Sequence, residues 1–408
     1  MSNSVQKRAI VVGAGPAGLA AAEVLGEAGW RVAIHERMPN PARKFLLAGR
    51  GGLNLTHSEP LETFLDKYGA ARRQLEPAIR AFTPDDLRAW AAGLGVETFV
   101  GSSGRVFPTQ MKASPLLRAW LARLSGLDVE LVTRSRWTGW DGDSLTFETP
   151  AGVHVEQPDA TILALGGASW PRLGSDGSWT AALAERGVGI TQLQPSNSGF
   201  RVEWSDVFRD RFAGEPVKAA AFIFAGGFNA YNIRGEAIIT REGIEGGAIY
   251  AMSSALRDFI AQTGRAYVTI DLAPDLPMDA LAQRLHASAK ISMANRLRRA
   301  GLSPLAAGLV REDRQAGGAA LPTEADHLAD RIKCCTIRLT AAAPIERAIS
   351  TAGGISWNSV NDDYSLKAIP HTFVAGEMLD WEAPTGGYLL QACFATGRAA
   401  ARGVLGAA

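Results

Sequence analysis

Three apolar runs carry the organisation of this chain. Ala9-Ile10-Val11-Val12 has no polar position, as in a central strand of a parallel sheet buried on both faces. Thr161-Ile162-Leu163-Ala164-Leu165 and Thr372-Phe373-Val374-Ala375 repeat the pattern, and each runs straight into glycine. Between the first run and Arg31-Val32-Ala33-Ile34-His35 lies a helix-like stretch to Ala28, stopped by Gly29 in the C-cap position. Val129 to Trp140 and Ser144 to Thr149 read as paired strands turning at Asp141-Gly142. From Pro195 to about Leu272 the apolar runs are short and alternating (Ala219 to Phe224, Ala237 to Thr240, Tyr267 to Asp271), punctuated by Gly226-Gly227 and Gly246-Gly247. The pattern then turns helical to about Ile332, and strand character returns at Thr336 to Thr340. The last apolar, small-residue stretch, Leu389 to Val404, reads as a helix.

The predicted architecture is α/β: apolar strands that run into glycine and alternate with helices read as a Rossmann-like domain built from both chain ends (1–194 and 350–408). It holds an inserted β-rich, substrate-side domain (195–275 and 333–349) and a small helical insert (276–332). With 408 residues the chain can bury two or three cores. Hydrophobic residues at 47% and charged residues at 20% suit a globular enzyme. A formal charge of +1 supplies no global field toward nucleic acid or an anionic membrane. No apolar run reaches the roughly 20 residues of a membrane span. Lys7 and Arg8 precede an apolar run as in a signal peptide, but Gly13, Gly15 and Gly18 break it at once, so a cytoplasmic protein is expected. Cys334, Cys335 and Cys393 form neither a metal pattern nor a CxxC pair. The six histidines show no metal-ligand or triad spacing, and catalytic side chains are unassigned.

Gly13-Ala14-Gly15-Pro16-Ala17-Gly18 is a G-x-G-x-x-G between a strand and a helix. Gly13 permits the tight turn, Gly15 lets a pyrophosphate approach the backbone, and Gly18 lets the helix pack close. The phosphates would sit at the positive end of the helix. Glu36, at the end of the second strand, is placed to accept hydrogen bonds from a ribose diol. Arg37 suggests either a 2′-phosphate or a position near the adenine.

A nicotinamide domain would usually continue into an ordinary helix. Here a basic loop with Arg43 and Lys44 leads to the turn Gly49-Arg50-Gly51-Gly52 and then Asn54. Backbone amides and Arg50 can neutralise pyrophosphate charge, and Lys44 can reach phosphate or flavin. Gly166-Gly167 lets backbone lie against a cofactor, and the strand with Arg136 and Trp137 is expected by the adenine. Gly376-Glu377 follows the third strand, with Glu377 suited to a ribityl chain. A helix opening at Gly387-Tyr388-Leu389 would turn its positive end to the flavin pyrimidine ring. Together these predict FAD, with NAD(P)H as a transient electron donor. A second dinucleotide fingerprint is not recognisable, so the donor would have no domain of its own.

At these residues the chain resembles the bacterial BaiN-like FAD-dependent flavoproteins, a group with members named for aminoacetone oxidase. The likeness rests on Gly13 to Gly18, Arg43-Lys44 with Gly49 to Thr56, and Leu165 to Pro171 with Gly174. It continues in Gly235-Glu236 with Thr240 and Gly243-Ile244, Thr351 to Ile355, Phe373 to Glu377, and Gly386 to Gln391. The resemblance implies an FAD-dependent oxidoreductase. Leu53 stands where the family often has Cys, so thiol chemistry at that turn is absent. The loop Trp381-Glu382-Ala383-Pro384-Thr385 is bulkier than usual, so a relative's substrate does not carry over.

Three readings of function stay open. One is an oxidoreductase that oxidises an amine or reduces an unsaturated small molecule. Another is a flavoprotein acting on RNA through the basic residues Lys290, Arg296, Arg298 and Arg299, an unfavoured partner because no aromatics interleave with them. The third is a non-enzymatic flavin-binding redox module. Gln315 to Ala320 is the expected mobile loop. The oligomeric state is not legible.

Overall fold

A computed structural model describes residues 6–226, 229–288, 291–312 and 321–407, except the side chains of Arg50 and Asn229. The chain forms two compact units, Met1–Gln194 with Ile349–Ala408, and Pro195–Ala348.

In the first unit, β1 (Arg8–Val12), β2 (Arg31–Glu36), β3 (Glu130–Thr133), β4 (Ala160–Leu163) and β5 (Thr372–Val374) form one sheet in the order β5-β4-β1-β2-β3. Every pairing is parallel, with Val12 opposite both His35 and Leu163. Chain order reverses beside β1, the topological switch point where such sheets bind ligands beyond their C-terminal strand ends. Ile10, Val11, Ile162 and Val374 are fully buried, as their uninterrupted apolar runs require. Two helices lie against each other over this sheet: α1 (Pro16–Glu27) from the start of the chain and α2 (Tyr388–Ala407) from its end. A Cβ on Gly397 of α2 would stand 2.2 Å from the Ala17 carbonyl oxygen, so the two backbones pack with no room for a side chain.

Two local expectations need correction. The stretch from Val129 to Trp140 is two strands in two sheets. Its first half is β3, whereas Arg136–Asp141 pairs antiparallel with Ser144–Thr149, which also pairs with Gly152–Glu156. Arg134 breaks the run with φ +56°, and the Arg134 and Ser135 amides donate to the Met38 and Glu36 carbonyls. The basic loop after Pro41 is instead a six-residue helix, Arg43–Ala48, followed by a 3-10 turn at Gly49–Gly51.

The second unit holds a six-stranded antiparallel sheet around the hairpin Pro216–Gly226 and Asn229–Ile239. Cys335–Leu339 closes one side by pairing with Ala266–Asp271. Four helices, Met278–Ala287, Met293–Arg299, Pro304–Glu312 and Ala325–Lys333, include a separate apolar cluster with Leu281, Leu297 and Leu328 at its centre. Lys290 and the Gln315–Ala320 loop fall outside the described residues. Arg296 does not belong to a solvated basic face. It is 4% exposed and donates to the carbonyls of Leu285 and Thr323, leaving Arg298 and Arg299 exposed.

Candidate dinucleotide cleft

Beyond the C-terminal ends of β1, β2, β4 and β5 opens a cleft of about 460 Å³. Its floor is the glycine-rich turn. Gly13 takes φ +103° and its amide donates to the His35 carbonyl (2.8 Å), folding the chain back on itself. A Cβ on Gly18 would lie 1.9 Å from the Gly13 carbonyl oxygen, so α1 begins hard against the turn. A Cβ on Gly15 would meet nothing within 4 Å, and Gly15, Pro16 and Ala17 line the open side. No side chain caps the first turn of α1. An uncapped helix start beside an open glycine is an anion-accepting feature.

Glu36 lines the cleft and ties its wall to the floor. Its carboxylate accepts from the Ala14 amide (3.0 Å) and the Met38 amide (2.8 Å). Burial pushes this carboxyl above its ordinary value, while those amides, Arg37 and Arg43 pull the other way. Arg37 donates to Asp176 (2.6 Å), whose other oxygen accepts from the Ser178 amide and hydroxyl. The Arg37–Asp176 pair thus joins the end of β2 to the loop after Gly174, both sides lining the cleft. Burial would raise the Asp176 carboxyl, but Arg37 and Ser178 outweigh it and hold it below its usual value.

Lys44 does not stand free for a phosphate. Its ammonium bonds Ser169 Oγ (2.6 Å) and both oxygens of Glu377 (2.7 and 3.0 Å). Glu377 also accepts from the Thr351 amide (3.1 Å), and Thr351 Oγ1 accepts from the Ala168 amide (2.9 Å). Gly376 and Cys393 line the same end. Burial first, and the Glu377 carboxylate second, push the Cys393 thiol up to about 12, so it is no thiolate at neutral pH. Arg136 and Trp137 line the opposite end with Gly166 and Trp179, and the Trp137 Nε1 is buried without a partner among the described residues.

The remaining sequence-nominated residues lie elsewhere. Ala14 and Gly18 are buried behind the turn, and Gly167 is closed off by Thr351. Gly51, Asn54, Gly387, Tyr388 and Leu389 are not in the cleft lining, and the Arg50 side chain is outside the described ones. Gly387, at φ +97°, is pressed on the Thr56 backbone, and the Tyr388 hydroxyl donates to Glu59 (2.6 Å).

Among the lining residues that composition and spacing do not reveal are Asp176, Cys393, His35, and Arg43 as an unpaired cation. His35, 2% exposed, stacks on Phe147 at 4.0 Å and bonds Ser135 through Nδ1 (2.8 Å). Its Nε2 lies 3.8 Å from Glu156, too far to hydrogen-bond. Burial lowers its pKa to about 4, with Glu156 opposing and His154 and Arg8 assisting. The unfolded chain binds this proton below about pH 6.5 while the folded one resists it. Stability should therefore fall as pH drops from about 6.5 to 4 and level off below, by on the order of 3 kcal/mol. Urea titrations across that window, against His35→Gln, check this; an equal pH slope in the variant removes His35 as the cause.

Among the described residues no helix is long and apolar enough to cross a membrane, and no cluster of three or more His, Cys, Asp or Glu could hold a metal. A family model described as the HI0933-like protein Rossmann domain matches residues 7–403. No curated protein matches the chain by sequence. Among solved structures, 3-ketosteroid Δ1-dehydrogenase from Sterolibacterium denitrificans, in complex with 1,4-androstadiene-3,17-dione, is 12% identical with a TM-score of 0.54. That match covers 98% of this chain and 99% of the other. Mycobacterium smegmatis Sdh1 in complex with UQ1 is 15% identical with a TM-score of 0.50, covering 98% of this chain and 69% of the other. At these identities the likeness is one of fold.

Proposed function

The chain belongs to the HI0933-like family, a family of FAD-dependent oxidoreductases, and from that premise we propose that its cleft holds FAD and that the protein is an oxidoreductase acting on a small molecule. The observation that carries the reading is the open Gly15 beside an uncapped helix start, with an acid at the end of the neighbouring strand. A diphosphate fits at Gly15, where no Cβ intrudes. Glu36 keeps lone pairs beyond its two backbone donors, enough to accept from a ribose. The orphaned Trp137 Nε1 suits the adenosine end, and Glu377, held by Lys44 and the Thr351 amide, suits the ribityl end.

FAD when bound supplies two-electron exchange with carbon or nitrogen substrates. The residues of this chain bind it, orient it and exclude water from the floor. Arg37 is neutralised by Asp176, which argues against a 2′-phosphate at that position and favours an unphosphorylated ribose. Amine oxidation and reduction of an unsaturated substrate remain the two substrate classes, with NAD(P)H or oxygen as the other redox partner. A cytoplasmic enzyme fits this reading. With Arg296 turned inward, RNA is the weaker alternative.

Purified protein should be yellow and release FAD rather than FMN on denaturation, read by chromatography. Stopped-flow bleaching of the flavin against NADH, NADPH, amines and enones then assigns the substrate class. Release of FMN, or no flavin retained after reconstitution with FAD, overturns the proposal.

A further inference from the structure

Four basic side chains line the cleft: Arg37, Arg43, Lys44 and Arg136. Three are already answered by carboxylates. Arg37 holds Asp176 at 2.6 Å, Lys44 holds Glu377 at 2.7 Å, and Arg136 holds Glu148 at 2.9 Å through Nε. Arg43 has no hydrogen-bond or ion-pair partner among the described residues, and its Nε is shut away from water. Burying part of a guanidinium without an acceptor is costly, so a site that keeps one there keeps it for a partner the protein does not supply.

The backbone around Arg43 fixes it beside the turn. Ala42, the preceding residue, takes the left-handed conformation at φ +53°, which a non-glycine residue adopts only under strain. In that conformation its amide donates to the Ala14 carbonyl (2.9 Å), stitching the start of the Arg43–Ala48 helix to the Gly13–Gly15 turn. The strain therefore sets Arg43 one residue from a bond to the element that meets a diphosphate. On its other side Arg43 borders a second cavity of about 440 Å³, with leucines 46, 47, 117 and 121 and no acidic residue in its lining. No anion is offered from that direction. Glu36 in the cleft feels the Arg43 charge without bonding it, since both Glu36 oxygens already accept backbone amides.

We infer that Arg43 is the residue that neutralises the diphosphate of the bound dinucleotide, and that its neighbour Lys44 instead positions Glu377. This rests on the reading of the cleft as the FAD site and deepens it, dividing the basic pair Arg43-Lys44 into a ligand contact and an internal brace. The guanidinium suits the task, since it offers a planar fork of donors to phosphate oxygens. Arg43→Gln removes the charge and keeps a polar side chain of similar reach.

Full-length protein stripped of flavin tests this with three probes: FAD, ADP and adenosine. Arg43→Gln should weaken FAD and ADP by roughly ten- to a hundred-fold, the loss of a charged hydrogen-bonded contact. Adenosine, which lacks phosphate, should bind as to wild type. FAD and ADP affinities in the variant should also become less sensitive to salt, and Arg43→Lys should recover part of the loss. Wild-type affinity for ADP in a folded Arg43→Gln, with wild type binding FAD, overturns the inference and leaves the FAD site standing. An equal loss of adenosine overturns it too, because Arg43 would then be shaping the cleft. If Arg43→Gln does not fold, the neutral Arg43→Met carries the test: ADP affinity and salt dependence at their wild-type values in that variant reject a phosphate contact. If wild type binds neither FAD nor ADP, it is the cofactor reading that fails.

Discussion

Glu23→Ala should destabilise the dinucleotide-binding unit by about 3–5 kcal/mol, the range for removing one partner of a buried charged network. Glu23 sits on the face of α1 away from the cleft and is 1% exposed. Its carboxylate accepts from Trp90 Nε1 (3.0 and 3.1 Å), Trp120 Nε1 (2.8 Å) and the Arg123 guanidinium (2.9 Å). Trp90 lies on the helix Pro84–Gly93, Trp120 and Arg123 on Ala113–Gly126, and both indoles pack on Phe394 of α2 at 5.0 Å. One carboxylate thus joins three helices, and the two indoles it holds pack them against α2. Truncation strands two indole N–H groups, each costing about 1–3 kcal/mol when buried without an acceptor. Glu23→Gln retains one acceptor oxygen and should lose less. Urea unfolding followed by tryptophan fluorescence checks the order; a loss below about 1 kcal/mol for Glu23→Ala would show that water replaces the carboxylate.

That network was invisible in sequence for a plain reason. Glu23 falls inside an apolar helical run, where one acid reads as a solvated position, and its donors lie 67 to 100 residues away. What sequence does reveal here is local chemistry with a fixed backbone consequence. The glycine-rich turn, the acid at the end of β2 and the apolar strands β1, β4 and β5 are all legible because composition and spacing dictate them. The parallel sheet drawing on both chain ends follows from those runs. Pairing among charges is not local. Lys44 and Glu377 each read in sequence as a ligand contact, yet 333 residues apart they hold each other. Arg43 then emerges as the unpaired cation only by subtraction, once every other basic residue of the cleft has its carboxylate. The break at Arg134 is not legible in sequence, because an arginine at φ +56° leaves no mark in a hydrophobicity pattern. It is set by the Glu36 and Met38 carbonyls, which take the Arg134 and Ser135 amides.

Gly387→Val should cost the same unit about 3–5 kcal/mol, through the fold rather than through a cofactor. At φ +97° a β-branched residue is strained by about 1–2 kcal/mol before any contact is counted. Its Cβ would stand 2.5 Å from Thr56 Cα and carbonyl carbon, and backbone cannot yield as a side-chain tip does. Forcing the two apart adds about 1–3 kcal/mol of overpacking. Thr56 is fully buried and donates to Gln391 Oε1 (2.8 Å), while Gln391 Nε2 donates to the Phe82 carbonyl (2.6 Å). Tyr68 bonds the Tyr388 carbonyl one residue further on (2.8 Å). Moving Gly387 therefore loosens a chain of buried bonds that seats the first turn of α2 on the N-terminal segment, each worth about 1 kcal/mol net. Gly387→Ala should lose nearly as much, because the Cβ alone makes the clash. Gly386→Ala meets the Tyr388 ring, a side chain that can turn, and should lose less. Chemical unfolding of the three variants decides between fold and cofactor: wild-type stability in Gly387→Val with an altered flavin potential would place this glycine against the flavin, whereas a shared loss in both Gly387 variants places it where the Thr56 contact requires.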